Sequence, residues 1–302
     1  MTKDKILIIG GGFIGLAIAR RLVENGNTVT VASTSAPTYI VSGIEWLQCK
    51  MDDPRTLNNI SEYQAVVHAA STSTPGHHIN APTREVEDNL LPLLRLLETM
   101  SDFSDIPLLY LSSGGAIYGD PQTLPVQESH ALAPISYHAA SKASAEHFLG
   151  VFAHQGHTVT ILRPSNVYGP RQPLKAGFGI IRTLLEHIKK ETPITIWGDG
   201  ETVRDYLYID DLCNLCLAVL NGSTGGTFNI GSGEGISLNS LCNLTEQITG
   251  KKISKQYQQA RDVDVARIVL DTTAIRSIYN WKPEITIESG MRLTWNWLQN
   301  DS

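Results

Sequence analysis

The chain has 302 residues, 42% of them apolar, enough for one large domain or two modest ones around a sizeable core. Its net charge is −6 and it carries no basic run, so a nucleic-acid partner is not expected. It has no run of ~18 apolar residues, so no membrane span or membrane partner is expected either.

The opening "MTKDKILIIGGG" passes directly into a strand pattern and lacks the features of a signal peptide, so a cytoplasmic protein is expected. Lys5–Ile9 reads as a first strand, followed by glycines and a helix in "FIGLAIARRLVENG" that ends at Gly26 and Asn27. "TVTVA" is a second strand, Ile44–Leu47 a third and "AVVHAA" (65–70) a fourth, nearly all apolar as in a buried parallel strand. Asp52 and Asp53 read as cap residues of a following helix. A helix over 83–100, a strand over 107–113, a helix over 136–154 and a strand over 158–164 continue the alternation. Such alternation predicts an α/β protein with a doubly wound parallel sheet. Beyond about Gly169 the pattern becomes irregular. Short strands ("ITIW", "YLYI", "TFNI") mix with helices over 178–189, 210–220, 238–248 and 287–298, which predicts a smaller C-terminal α+β lobe. The boundaries expected are 1–169 for the first domain and 170–302 for the substrate lobe, intimately packed.

Cys213 and Cys216 form C-x-x-C inside the helical "DDLCNLCLAVL", where they read as small apolar residues on one helix face. Cys49 and Cys242 add no zinc-like spacing, and no metal site is expected.

"IIGGGFIG" places Gly10-x-Gly12-x-x-Gly15 directly after the first strand and at the start of the first helix. Glycines there let the backbone turn sharply and approach a pyrophosphate held at the helix N-terminus, so a dinucleotide is expected. An acidic residue at the end of the second strand would favour NAD, but "VASTSAP" offers only Ser33, Thr34 and Ser35, without an adjacent Arg for a 2′-phosphate. These residues alone leave NAD and NADP both open.

Several segments in order resemble the extended short-chain dehydrogenase/reductase family, which has a Rossmann-type fold. The resemblance is to its NAD-dependent nucleotide-sugar epimerases and dehydratases, UDP-glucose 4-epimerases in particular. They are "GGGFIG", "VVHAA" (66–70), "SSGGAIYG" (112–119), "RPSNVYGPRQ" (163–172), "WGDGETVRDYLYIDDL" (197–212) and "ARDVDVARIVLD" (260–271). The family loop usually reads GxxGxxG, and this chain has Ile9 at the first glycine. The resemblance implies NAD as cofactor, held by Gly10, Gly12, Phe13, Ile14, Gly15, Ser33, Met51, Ala69, Ala70, Lys142 and Pro164. It implies a nucleoside-diphosphate sugar as substrate, met by Asn166, Arg204, Arg261 and Asp264, with Asn89 near the active site. It also implies a homodimer packed through the helices at 83–100 and 136–154.

In the family, a Tyr-x-x-x-Lys pair and a Ser or Thr surround the oxidised sugar carbon. Here Lys142 fits the Lys, but His138 stands four residues before it and the tyrosine is Tyr137. One helical residue is a rotation of roughly 100°, so Tyr137 and His138 point different ways. Three readings follow: His138 is the base, a local bulge brings Tyr137 round, or catalysis is lost. Neutral imidazole is a competent base near pH 7, and a neighbouring Lys cation keeps it neutral. Gly114 occupies the family's hydroxyl position, with Ser113 beside it as the substitute. Lys50 stands where the family carries an acid near the adenine. The expected activity is C4 epimerisation of a UDP-sugar. The alternatives are a reductase or dehydratase of such substrates, or a binding protein without turnover. His77 and His78 are loop candidates for the sugar pocket.

Overall fold

The structure is a computed structural model that describes residues 4–74, 80–175, 178–222, 224–260 and 265–300. Arg261, Asp264, His77 and His78 therefore lie outside the described residues.

Strands β1 (Lys5–Ile9), β2 (Thr28–Ser33), β3 (Ile44–Gln48), β4 (Ala65–His68), β5 (Leu108–Leu111) and β6 (Val159–Pro164) belong to one seven-stranded sheet. Its order is β10-β6-β5-β4-β1-β2-β3, where β10 is Gly226–Ile230. Neighbouring strands from β3 to β6 pair in parallel. Leu7, Val31, Val66 and Leu109 are almost fully buried, as a sheet covered on both faces requires. Helices α1 (Phe13–Glu24), α4 (Leu91–Met100) and α5 (Tyr137–His154) follow β1, β4 and β5 respectively. Short α2 (Pro54–Leu57) is capped by Asp53, whose side chain accepts from the Arg55 amide at 2.9 Å, as the sequence suggested. β1 has β2 on one side and β4 on the other. This reversal of strand order opens a crevice at the carboxyl ends, where ligands of such sheets bind.

Two expectations are corrected. "TFNI" belongs to β10 at the edge of the large sheet, not to the substrate lobe's own strands. The helix expected over 83–100 is broken into α3 (Pro82–Glu85), a π-turn at Val86–Leu90, and α4. Pro92 explains the break: it has no N–H for the Asp88 carbonyl and its ring crowds that carbonyl, so the preceding turn widens.

The chain divides into two compact units, each discontinuous in sequence. The first comprises 1–117, 134–163 and 213–228, and the second 118–133, 164–212 and 229–302. The boundary read at 169 lies within the second unit. That unit holds β7 (Asn166–Tyr168), β9 (Val203–Tyr208), β11 (Gly235–Ser237) and β13 (Arg267–Ile268) in one sheet, and a separate pair of β8 (Ile194–Trp197) with β12 (Lys255–Gln258). Helices α6 (Ile180–Lys190), α8 (Leu238–Thr249) and α10 (Ile287–Asn300) pack on one another there. The remaining helices are α7 (Ile209–Gly222) and α9 (Thr273–Tyr279). All four cysteines are buried and none is in a disulfide, Cys213 and Cys216 on α7 included. Among the described residues no helix is long and apolar enough to cross a membrane.

Candidate active site

The glycine loop closes on the β1–β4 crevice. Gly10 has φ +106°, and its amide donates to Ala32 O at 2.8 Å. A Cβ on Gly10 would lie 2.5 Å from the Ala70 amide nitrogen, so only glycine lets this turn approach the β4 end. A Cβ on Gly15 would lie 1.8 Å from Gly10 O, which fixes how tightly α1 leans on the loop. Gly12 differs. It is the N-cap of α1, makes no side-chain cap, and a Cβ on it would meet nothing within 4 Å. No acidic side chain occupies the first turn of α1. The helix thus offers amide donors that no side chain among the described residues caps, which fits a pyrophosphate. Phe13 and Ile14 are its first two helical residues. Ser33 ends β2, and Ala69 donates its amide to Ile9 O at 2.8 Å. A dinucleotide fits these residues.

Beyond the loop, a small pocket is lined by His68, Ala70, Glu85, Asn89, Tyr110, His138 and Lys142 among others. His138 and Lys142 are one turn apart on α5 and each is 8% exposed, whereas Tyr137 is 46% exposed. Ser136 caps α5 by accepting from the Ala139 amide at 3.2 Å, so the helix begins at Tyr137 without a bulge. His138 Nδ1 lies 3.0 Å from the buried Ser73 hydroxyl. Lys142 Nζ donates to Leu111 O at 2.8 Å and sits 4.7 Å from the Tyr110 ring centroid. Burial pulls the Lys142 pKa from 10.5 to about 8, against the opposing pull of Glu146 and Glu85. Burial also holds the Tyr110 phenol well above its usual range, so it stays protonated.

Asn89 Oδ1 accepts from the Thr72 amide at 2.9 Å, and its Nδ2 donates to Glu85 at 2.9 Å. Glu85 is only 2% exposed. Ser112 donates to Glu146, which also holds Arg163 through Nε at 3.0 and 3.1 Å. Ser112 is thus committed to a buried ion pair, and Ser113 is the partly exposed hydroxyl beside it. His68, at the end of β4, is fully buried. Its Nε2 lies 2.8 Å from Met51 Sδ, and its Nδ1 has no hydrogen-bond partner among the described residues. Burial, then the Lys142 charge, pull its pKa from 6.5 to about 3.

In the second unit, Pro164 is buried and Asn166 Nδ2 donates to Asp205 O at 3.0 Å. Arg204 donates from Nη1 to Val203 O at 2.9 Å. Sequence reasoning passed over Glu85, Ser73 and His68. Glu85 carried a faint signal in its four-residue spacing from Asn89, and His68 in being polar within an apolar strand. Ser73 carried none.

A parallel sheet with a glycine loop at its switch point and a buried lysine on the helix after β5 agrees with the expected extended short-chain dehydrogenase/reductase class. Residues 6–231 match the profile of the NAD dependent epimerase/dehydratase family, and the chain belongs to that family. It is 32% identical to the putative UDP-glucose 4-epimerase of Methanocaldococcus jannaschii over 98% of this chain and 99% of that one. The UDP-glucose 4-epimerase of Thermotoga maritima, solved with UDP-glucose, superposes with a TM-score of 0.93 at 31% identity, covering 98% and 99% of the two chains. That of Thermus thermophilus, solved with NAD, gives 0.91 at 30% identity, covering 99% and 100%.

Proposed function

We propose that the protein is an NAD-dependent 4-epimerase of a UDP-sugar in which His138 moves the proton that a tyrosine moves elsewhere in the family. The observation that carries this reading is the shared face of α5, with His138 and Lys142 in the pocket and Tyr137 turned out. The amides of Gly12, Phe13 and Ile14 would hold the pyrophosphate of NAD, with Gly10 and Gly15 shaping the turn and Ser33, Met51, Ala69, Ala70 and Pro164 completing the site. Bound NAD supplies reversible oxidation and reduction of the sugar carbon. The chain does the rest. Ser73 fixes the imidazole through Nδ1, so the sugar hydroxyl gives its proton to Nε2 and recovers it after the keto sugar has turned. Lys142, mostly protonated at pH 7 with its pKa near 8, disfavours imidazolium and keeps His138 ready to accept. Ser113 orients the hydroxyl. Asn166, Arg204, Arg261 and Asp264 grip the diphosphate and sugar. A homodimer would cover Val86 of the π-turn, Leu91 at the start of α4, and Phe148 and Val151 of α5, all exposed apolar residues.

The test is turnover of UDP-glucose, UDP-galactose and UDP-glucuronate with NAD, read as C4 configuration by NMR. His138→Phe should lower kcat by about 10²-fold or more, and Tyr137→Phe by less than twofold. The opposite result would make Tyr137 the base. An inert parent that gains activity on His138→Tyr would make the protein a binder without turnover.

A further inference from the structure

Replacing a phenol by an imidazole changes the charge of the site through the cycle. A tyrosine base passes from −1 to 0 when it takes the proton. A histidine base passes from 0 to +1, which places two cations one helical turn apart when the other is Lys142. In a buried pocket of low effective dielectric, such a pair needs a counter-charge.

We propose that Glu85 is that counter-charge, a positioning residue that stabilises the protonated form of His138. The inference rests on the assignment of His138 as the base. Among the described residues lining the pocket, Glu85 is the sole acid. It reaches the pocket because α3 packs against α5 and the π-turn follows it. It is 2% exposed, so solvent screens it little. Its carboxylate already opposes the neutralisation of Lys142. Among the described residues, the other groups near His138 do not supply the charge. Lys142, on the same helix, is cationic. His68, at the end of β4, is held neutral by burial. Tyr110, on β5, is held protonated. Ser73 is a neutral hydroxyl on Nδ1. Glu146, one turn beyond Lys142, is taken by Arg163 and Ser112. Glu85 takes no part in the proton transfer itself. The proton passes between the sugar oxygen and His138, and the carboxylate only lowers the energy of the charged imidazole.

The sign follows directly. A carboxylate beside an imidazole favours its protonated form and raises its pKa. Glu85→Gln keeps an oxygen to accept from Asn89 Nδ2, so the local fold survives while the charge is lost. In full-length protein with 15N-labelled histidines, the resonance that disappears in His138→Gln identifies the ring. Its pKa should fall by about one unit in Glu85→Gln. It should fall less in Glu85→Asp, and the exposed His147 and His154 should not move. In the turnover assay kcat should drop about tenfold with KM little changed, and the acid limb of the pH profile should shift down with the NMR value. An unmoved His138 pKa in Glu85→Gln overturns the inference even if the enzyme epimerises. Lack of turnover by the parent overturns the proposed activity instead, and the titration still decides what Glu85 does.

Discussion

His68 illustrates how much one polar ring can weigh inside a sheet. It ends an apolar strand, packs 5.1 Å from Tyr110, and leaves Nδ1 without a partner among the described residues. Its pKa of about 3 against an ordinary 6.5 has a defined consequence. Between those values the unfolded chain binds a proton that the folded chain refuses, so stability is lost as pH falls from 6.5 towards 3. A shift of that size corresponds to a few kcal/mol, as an order of magnitude. His68→Leu should remove this dependence. Urea midpoints measured from pH 7 to pH 4 should fall less steeply in the variant than in the parent. Parallel slopes would mean that His68 is charged or hydrated in the native state.

At the scale of elements, the joint between α5 and β6 is electrostatic. Glu146 and Arg163 are 7% and 6% exposed and hold each other through two Nε contacts, with Ser112 of the β5 end joining them. Glu146→Ala would take from a buried guanidinium the carboxylate it holds, at a cost of about 3–5 kcal/mol read by urea unfolding. Removing both charges in Glu146→Leu/Arg163→Met should cost less. None of this was legible in the sequence, because the partners lie 17 residues apart on different elements and no local periodicity links them. The same limit hid Ser73, which is 65 residues from His138. It also hid the π-turn, since Pro92 marks a disturbance in a helix without saying how the turn before it relaxes. The glycine loop and the parallel strands were legible because each depends on local spacing and on burial of continuous apolar runs. The shared face of His138 and Lys142 was legible for a similar reason, since four residues is close to one helical turn.

At the scale of the whole molecule, the second unit is held by buried acids that the sequence analysis did not single out. Asp205 in "VRDYLY" accepts from the amides of Ser232, Gly233 and Leu270 and from the Ser232 hydroxyl. Burial raises its pKa, and those four hydrogen bonds oppose the rise. Asp211 does the same for Glu284 and Ile285 at 3.0 and 3.1 Å. Asp205→Ala should leave several buried amides unpaired and cost about 3 kcal/mol or more, while Asp205→Asn, which keeps one acceptor oxygen, should cost less. Differential scanning calorimetry of the two variants reads the difference. Equal melting in both would mean that the loop amides find other acceptors.

The glycine loop bears on inheritance. Gly15 cannot take a methyl group without striking Gly10 O, whereas at Gly12, the N-cap of α1, a methyl meets nothing within 4 Å among the described residues. Two changes of a single carbon, three positions apart, therefore part ways. An allele carrying alanine at 15 would deprive the cell of folded protein. One carrying alanine at 12 would fill it with a folded protein that has lost its cofactor. Western blots would tell the two apart where growth alone would call them the same.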